Sequence, residues 1–382
     1  MRTLLIILIL LIVHSVSAQE IDPRDFSDNK ISLSDIADDI KYIPLDNTFP
    51  IGGLLSLRIL TNSIYICTKD HGVIRFDKNG ERPTKIGKYG RGPGEYSTCW
   101  SFDVDEESGT VYVLDWRKIV VFTDKGEFLR SITLTDCEEG NCFTRIEFFQ
   151  NNIFLAEFIT NGQAKYDWIV KDRNGNTIEK KKNSIPSFPS TISMYGGTYK
   201  YNGSIGYWNC YNDTVFTILP NYSYKPSLLF SLGRHRLPRE DIRSTSRKQY
   251  LSKLNEYFIP RYVFETSRFI WLDYRFEEKR TLALIDKNTK KSYLTYLSND
   301  GTGGILNNID GGVSLRTWSS FEENGHEYVV GILDAYKLKN HVASEDFINS
   351  NPRYPDMKMR LERLADSIME SDNPIIYFVH LK

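Results

Sequence analysis

Two stretches bring together side chains suited to recognition. Arg91, Glu95 and Tyr96 lie in a glycine-rich run ending Gly92-Pro93-Gly94-Glu95-Tyr96, and Asp115-Trp116-Arg117 follows some twenty residues later. Tyr274-Arg275 repeats the aromatic–guanidinium pairing, and Asp70-His71 adds a carboxylate and an imidazole. Rings stack on sugar or peptide faces, and guanidinium and carboxylate groups make charge-assisted hydrogen bonds. The same residues also suit structural ion pairs and solvated turns. Catalytic patterns are sparse. There is no Gly-x-Ser-x-Gly elbow, and no Cys or His spacing matches a zinc site. His71, His235, His326, His341 and His380 are scattered along the chain. Gly87 to Gly94 resembles a phosphate cradle only superficially. Such cradles open a helix, whereas Pro93 and the strand-like Phe102-Asp103-Val104 follow here. The run is expected to be a connection needing positive φ.

The elements that must position these groups repeat. Val73–Phe76 runs into Asp77-Lys78-Asn79-Gly80, Val120–Thr123 into Asp124-Lys125-Gly126, and Trp168–Lys171 into Asp172-Arg173-Asn174-Gly175, with anchoring Asp residues 47 and 48 residues apart. Leu282–Ile285 into Asp286-Lys287-Asn288 is a further copy, and Pro220-Asn221 a weaker one. Several short strands per period of about 40–50 residues signal a β-propeller. The expectation is an all-β, six-bladed propeller over residues 19–382, with helical insertions near 238–258 and 334–371. Ile305–Ile309, Val313–Trp318 and Ile375–Leu381 would supply three strands of the sixth blade. The spare N-terminal strand Ile40–Leu45 would close the ring and cover an otherwise reactive edge. Within the second insertion Met357, Leu361, Leu364, Ala365 and Ile368 mark an amphipathic helix, expected to pack on the propeller flank.

Residues 1–18 read as a secretory signal peptide: Arg2, an apolar run Leu4–Val13, then Val16-Ser17-Ala18. No later segment is apolar enough to span a membrane, and no Cys follows the leader to carry a lipid. The chain is therefore expected in the periplasm or outside the cell. Charge is balanced, with 48 Lys+Arg against 49 Asp+Glu, so nothing draws the whole molecule to nucleic acid or to anionic lipid. Five Cys is an odd count for an oxidising compartment. Cys137 and Cys142 flank a loop short enough for a local disulfide, the alternative being two free thiols. Cys67 and Cys99 are a second potential pair, and Cys210 reads as a buried apolar residue.

The Gly-Pro-Gly-Glu-Tyr loop, Leu33-Ser34-Asp35-Ile36 with Tyr42-Ile43-Pro44-Leu45, the turn Phe76–Gly80, Asn212-Asp213-Thr214-Val215-Phe216 and the ending Asn373–Lys382 resemble the exported six-bladed β-propeller proteins of Bacteroidetes, relatives of NHL-repeat propellers. The resemblance implies a propeller and export. It carries over no catalytic residue and no cofactor. Many members are lipoproteins, and the anchoring Cys is lacking here.

In an up-down-up-down blade, entry loops to the first strand and turns between the second and third leave on one face. Arg91, Glu95, Tyr96, Asp115, Trp116, Arg117, Tyr274 and Arg275 are thus expected on one rim. The expected function is a ligand-binding (glycan or peptide) or protein-interaction module of the bacterial envelope. The alternative is a metal-dependent hydrolase or lyase in the central channel, for which Asp103 and Asp310 are the only hints.

Overall fold

A strand covered on both faces must be apolar at nearly every position, whereas one at the rim needs polar residues to blunt its edge. The chain obeys this blade by blade. Ser63–Thr68 is buried throughout, while Thr177–Lys182 is exposed at every position but Lys181. The computed structural model describes residues 18–99, 101–137, 142–157, 164–188, 196–240, 247–298 and 303–382. The expected leader up to Ser17 and positions 241–246 of the first insertion lie outside these.

Six sheets form the ring. After β1 (Gln19–Ile21) and β2 (Ala37–Pro44), blade one comprises β3 (Leu54–Ile59), β4 (Ser63–Thr68), β5 (Gly72–Asp77) and β6 (Thr84–Ile86). Blade two is β7 (Ser101–Asp105), β8 (Thr110–Asp115), β9 (Lys118–Thr123) and β10 (Phe128–Thr133). Blade three is β11 (Arg145–Phe149), β12 (Asn152–Ala156), β13 (Tyr166–Lys171) and β14 (Thr177–Lys182). Blade four is β15 (Gly196–Tyr201), β16 (Ser204–Asn209), β17 (Thr214–Ile218) and β18 (Tyr224–Phe230). Blade five is β19 (Ile259–Glu265), β20 (Phe269–Phe276), β21 (Lys279–Asp286) and β22 (Ser292–Leu297). Blade six is β23 (Ser319–Glu323), β24 (His326–Leu333), β25 (Ile375–Leu381) and, as its outer strand, β2.

Closure by the N-terminal strand is as expected, with Ala37–Pro44 antiparallel to Ile375–Leu381. The inner strands of blade six are not. They are β23 and β24, a hairpin turning at Asn324-Gly325, whereas Ile305 and Leu315 meet only in an isolated bridge outside the blade. The Gly303-Gly304 and Gly311-Gly312 pairs interrupt that segment, and positive φ at Gly303, Gly304 and Gly311 breaks strand geometry.

The repeating turns work through one acceptor. Asp77 Oδ1 takes hydrogen bonds from the amides of Asn79 and Glu81 (both 3.0 Å), and Asp172 and Asp286 act alike. In blade two Thr123 Oγ1 has this role, accepting from Lys125 and Glu127, so the structural anchor sits one residue before Asp124. Gly80 closes the first turn at φ 81°, and a Cβ there would lie 2.3 Å from Pro44 O.

The core lies between blade faces. Ile64, Ile66, Ile74 and Phe76 pack on Val330, Ile376 and Phe378 between blades one and six. Trp168 and Val170 pack on Ile205, Tyr207 and Ile218 between blades three and four. The short helix α1 (Leu33–Ile36) buries Leu33 and Ile36. The first insertion holds α2 (Arg247–Leu254), which begins well after Pro238; Pro238 and Arg239 are not helical. The second holds α3 (Ala335–Val342), α4 (Glu345–Ile348) and α5 (Pro355–Ser367). Leu338, Phe347, Leu361 and Ala365 join Trp271, Leu284 and Val379 in one cluster, so these helices are packed on the ring.

The N-terminal segment does more than close the ring. β1 adds in parallel to β18, making blade four five-stranded. The chain then crosses blade five, where Asn29 O accepts from Leu294 N at 3.0 Å and Ser27 N donates to Ser292 Oγ at 2.8 Å. Leu33 N donates to Leu306 O before β2 begins. Residues 19–44 thus form a belt over three blades.

Candidate functional site

The entry loops and the second-to-third-strand turns share a face, and the four helices α2 to α5 lie within such connections. The loop 87–99 and the turn after β8 are knitted together there. Asp115 accepts four hydrogen bonds, from the amides and hydroxyls of Ser97 and Thr98 (2.8–3.1 Å). Burial pushes its carboxyl upward, but those donors outweigh it and hold it below the usual range. Lys118 Nζ donates to Glu95 O at 3.0 Å across the same junction.

This knitting reassigns several of the expected ligand residues. Tyr96 is wholly buried: its hydroxyl donates to Ile86 O (2.9 Å) and accepts from Val73 N (3.0 Å), stapling the outer half of blade one. Burial pushes its phenol far up. A Cβ on Gly72 would meet that hydroxyl at 2.1 Å, which is why glycine precedes Val73. Glu95 folds back into its own loop, accepting from Gly92 N at 2.9 Å and pairing with Lys88 at 2.8 Å. The Gly-rich loop therefore cradles an anion, but that anion is its own carboxylate. A Cβ on Gly90 would sit 1.8 Å from Glu95 Oε2, so the loop needs glycine there. Asp115 is buried, as described. Tyr274 is buried too, stacked on Phe258 at 4.6 Å between ring centroids, its phenol pushed up to about 12 by burial. Tyr96, Asp115 and Tyr274 are thus packing or positioning groups rather than contact surface.

What stays at the surface is Arg91, Trp116 and Arg117. Trp116 is 55% exposed and sits at φ 50° in the turn between β8 and β9. A bulky side chain rarely adopts that conformation. Arg117 donates to Cys137 O at 2.8 Å, tying the turn to the next entry loop. Arg275 donates to Asn255 Oδ1 at 2.9 Å on the blade-five part of the rim. Cys137 and Cys142 form a disulfide, whereas Cys67, Cys99 and Cys210 are buried and not disulfide-bonded.

The channel holds a cluster that the sequence barely showed. Asp103 on β7 accepts from Arg58 Nε (2.9 Å) and Lys200 Nζ (2.7 Å), and from Phe148 N (2.6 Å). Glu147 on β11 accepts from Arg58 (3.2 Å) and Thr198 (2.7 Å). Burial alone would raise the Asp103 carboxyl, but Lys200 and Arg58 hold it at about 2. Burial and the neighbouring Arg58 push the Arg145 guanidinium down. Three cations from three inner strands thus meet two carboxylates. Four different blades supply these groups, and only the repeat periodicity could have hinted that they meet. Asp310 lies elsewhere, in the loop before β23, accepting from Asn307 and Gly312. Among the described residues no cluster of three or more His, Cys, Asp or Glu is placed to hold a metal, and no helix is long and apolar enough to cross a membrane.

Fold and rim together define a closed six-bladed β-propeller whose long connections open on one face, around a channel lined by paired charges. The chain belongs to the family defined by the domain of unknown function DUF4934, which matches residues 18–380. Its fold is similar to that of a Bacteroides fragilis protein described as exported, with a TM-score of 0.66 and 20% identity over 96% of this chain and 100% of that one. It is also similar to a Bacteroides vulgatus member of the DUF4221 family, with a TM-score of 0.51 and 12% identity over 93% and 99% of the two chains. At these identities the likeness is one of fold. No curated protein matches the chain.

Proposed function

We propose that the protein is an exported binding module that takes a carboxylate-bearing glycan or peptide on the face of the long connections, with Trp116 as the stacking platform and Arg91 and Arg117 as its charged flanks. Export is supported by the signal-like leader and by the fold's similarity to a protein described as exported. The observation carrying the reading is Trp116: a large ring 55% exposed on a left-handed turn residue. Aromatic and Arg side chains dominate recognition hot spots, and an exposed ring held by unfavourable backbone geometry points to a role outside packing. The hydrolase or lyase alternative finds less support in the channel, because Asp103 and Glu147 already pair with Arg58 and Lys200. A divalent cation there would have to displace both.

The test is Trp116→Ala on an array of acidic and neutral glycans and peptides. The expected result is binding of acidic probes by the native protein, lost in the variant, with a melting temperature unchanged within about 2 °C, as for a surface substitution. Intact binding in the variant, or a drop of several degrees, would make the ring structural and overturn the reading.

A further inference from the structure

The opposite face carries a second constellation, assembled where the ring closes. His326 begins β24 and His380 lies near the end of β25, in neighbouring antiparallel strands where Tyr328 is the partner of His380. His326 therefore stands diagonally beside His380 on the same sheet face, within reach of a long side chain. His326 Nδ1 and His380 Nε2 are 3.0 Å apart. On the far side of the His380 ring, Nδ1 is 2.6 Å from Asp38 Oδ1, on β2. Three strands from both ends of the chain thus supply a carboxylate–imidazole–imidazole series. It borders an open cleft of ≈ 500 Å³ that Glu322 and Glu327 also line.

We propose that His326 and His380, oriented by Asp38, bind one late first-row divalent cation, Cu(II) in preference to Ni(II) or Zn(II). Metal–imidazole bonds are about 2.0–2.1 Å, so two nitrogens at right angles about one ion stand about 2.8–3.0 Å apart, and tetrahedral ones about 3.3 Å. In the free protein the 3.0 Å spacing is that of an N–H···N hydrogen bond, and it already lies within the span that a shared ion requires. Imidazole ligands also follow the affinity order that peaks at copper. Asp38 has the part that carboxylates play behind ligating histidines: accepting from Nδ1–H fixes the tautomer and turns the Nε2 lone pair toward the ion. In the free protein that lone pair accepts from His326 Nδ1–H. Binding requires His326 to carry its proton on Nε2 instead, a tautomer change with no net proton released. Ser267 holds Glu327 through its amide and hydroxyl, so solvent in the cleft supplies the remaining positions. The ion would link β24 to β25, whose outer partner β2 carries Asp38, and so staple the closing blade.

The site shares no residue with the face proposed for ligand binding, so either can fail alone. The untagged protein is titrated with Cu(II) by calorimetry, and nitrogen coordination is read by electron paramagnetic resonance. The expected result is one Cu(II) per chain with two nitrogen ligands. His326→Ala and His380→Ala should each weaken binding at least tenfold, and Asp38→Asn by about 10–100-fold. His71→Ala should leave it unchanged. His326 is an exposed residue at the start of β24, next to the hairpin turn, so its variant remains folded even should that of His380 not. Native-like affinity or an unchanged nitrogen signal in His326→Ala overturns the proposal.

Discussion

At the level of single residues, Asp103 shows how context sets chemistry. A carboxylate buried on an inner strand would ordinarily be neutral, yet Lys200 and Arg58 keep its carboxyl at about 2. An unfolded Asp titrates at about 3.9. The folded-state value is the lower one, so the stabilisation is fully present above about pH 4 and lost as pH falls toward 2. On the order of 2 kcal/mol is at stake. Urea midpoints of the native protein and Asp103→Asn, measured from pH 5 to 2.5, should converge as the pH drops. Parallel curves would show that the pair carries no linkage. The sequence marked Asp103 as a channel carboxylate by its place at a blade start, but nothing local to it signalled Arg58 or Lys200, which lie 45 and 97 residues away.

At the level of elements, the Gly-Pro-Gly-Glu-Tyr loop is a joint. Its glycines make room for Glu95, and Tyr96 pins the β5–β6 edge by two buried hydrogen bonds. Tyr96→Phe keeps the ring and leaves Val73 N–H and Ile86 C=O without this partner, at a cost of about 1–3 kcal/mol. In a domain of this size that lowers the melting temperature by several degrees, at roughly 2–4 °C per kcal/mol. Binding by the Trp116 turn should persist. An unchanged melting temperature would mean that water or a shifted loop satisfies those groups. The loop's composition was legible in the sequence as a connection needing glycine. That its two polar side chains turn inward was not, because Glu95 and Tyr96 find their partners through the path of the loop.

At the level of the whole molecule, stability rests on joining the chain's two ends. Removing residues 19–32 strips the belt from blades four and five but leaves β2 on β25. Removing 19–46 also uncovers β25 along its length and opens the ring. The shorter deletion should give a soluble protein of lowered melting temperature, and the longer one should aggregate, as exposed strand edges do. Soluble yield and size-exclusion profiles check this. Equal behaviour of the two would mean that closure by β2 contributes little.

The propeller, the count of blades and the closing strand were legible in the chain's residues, because strand patterning and turn chemistry are local and repeat with the period. The anchor of blade two reads one residue too late, at Asp124, because Asp is the commoner turn acceptor, whereas the Thr123 hydroxyl takes the amides. Which loop residues face solvent, and which charges meet, follows from packing in three dimensions. Tyr96 and Trp116 belong to adjoining connections of similar composition, yet one is sealed in the core and the other exposed. His326 and His380 are 54 residues apart in the chain and 3.0 Å apart in space. Periodicity dictates where a strand lies. Encounters between side chains of different blades follow from the closure of the ring, which no local segment encodes.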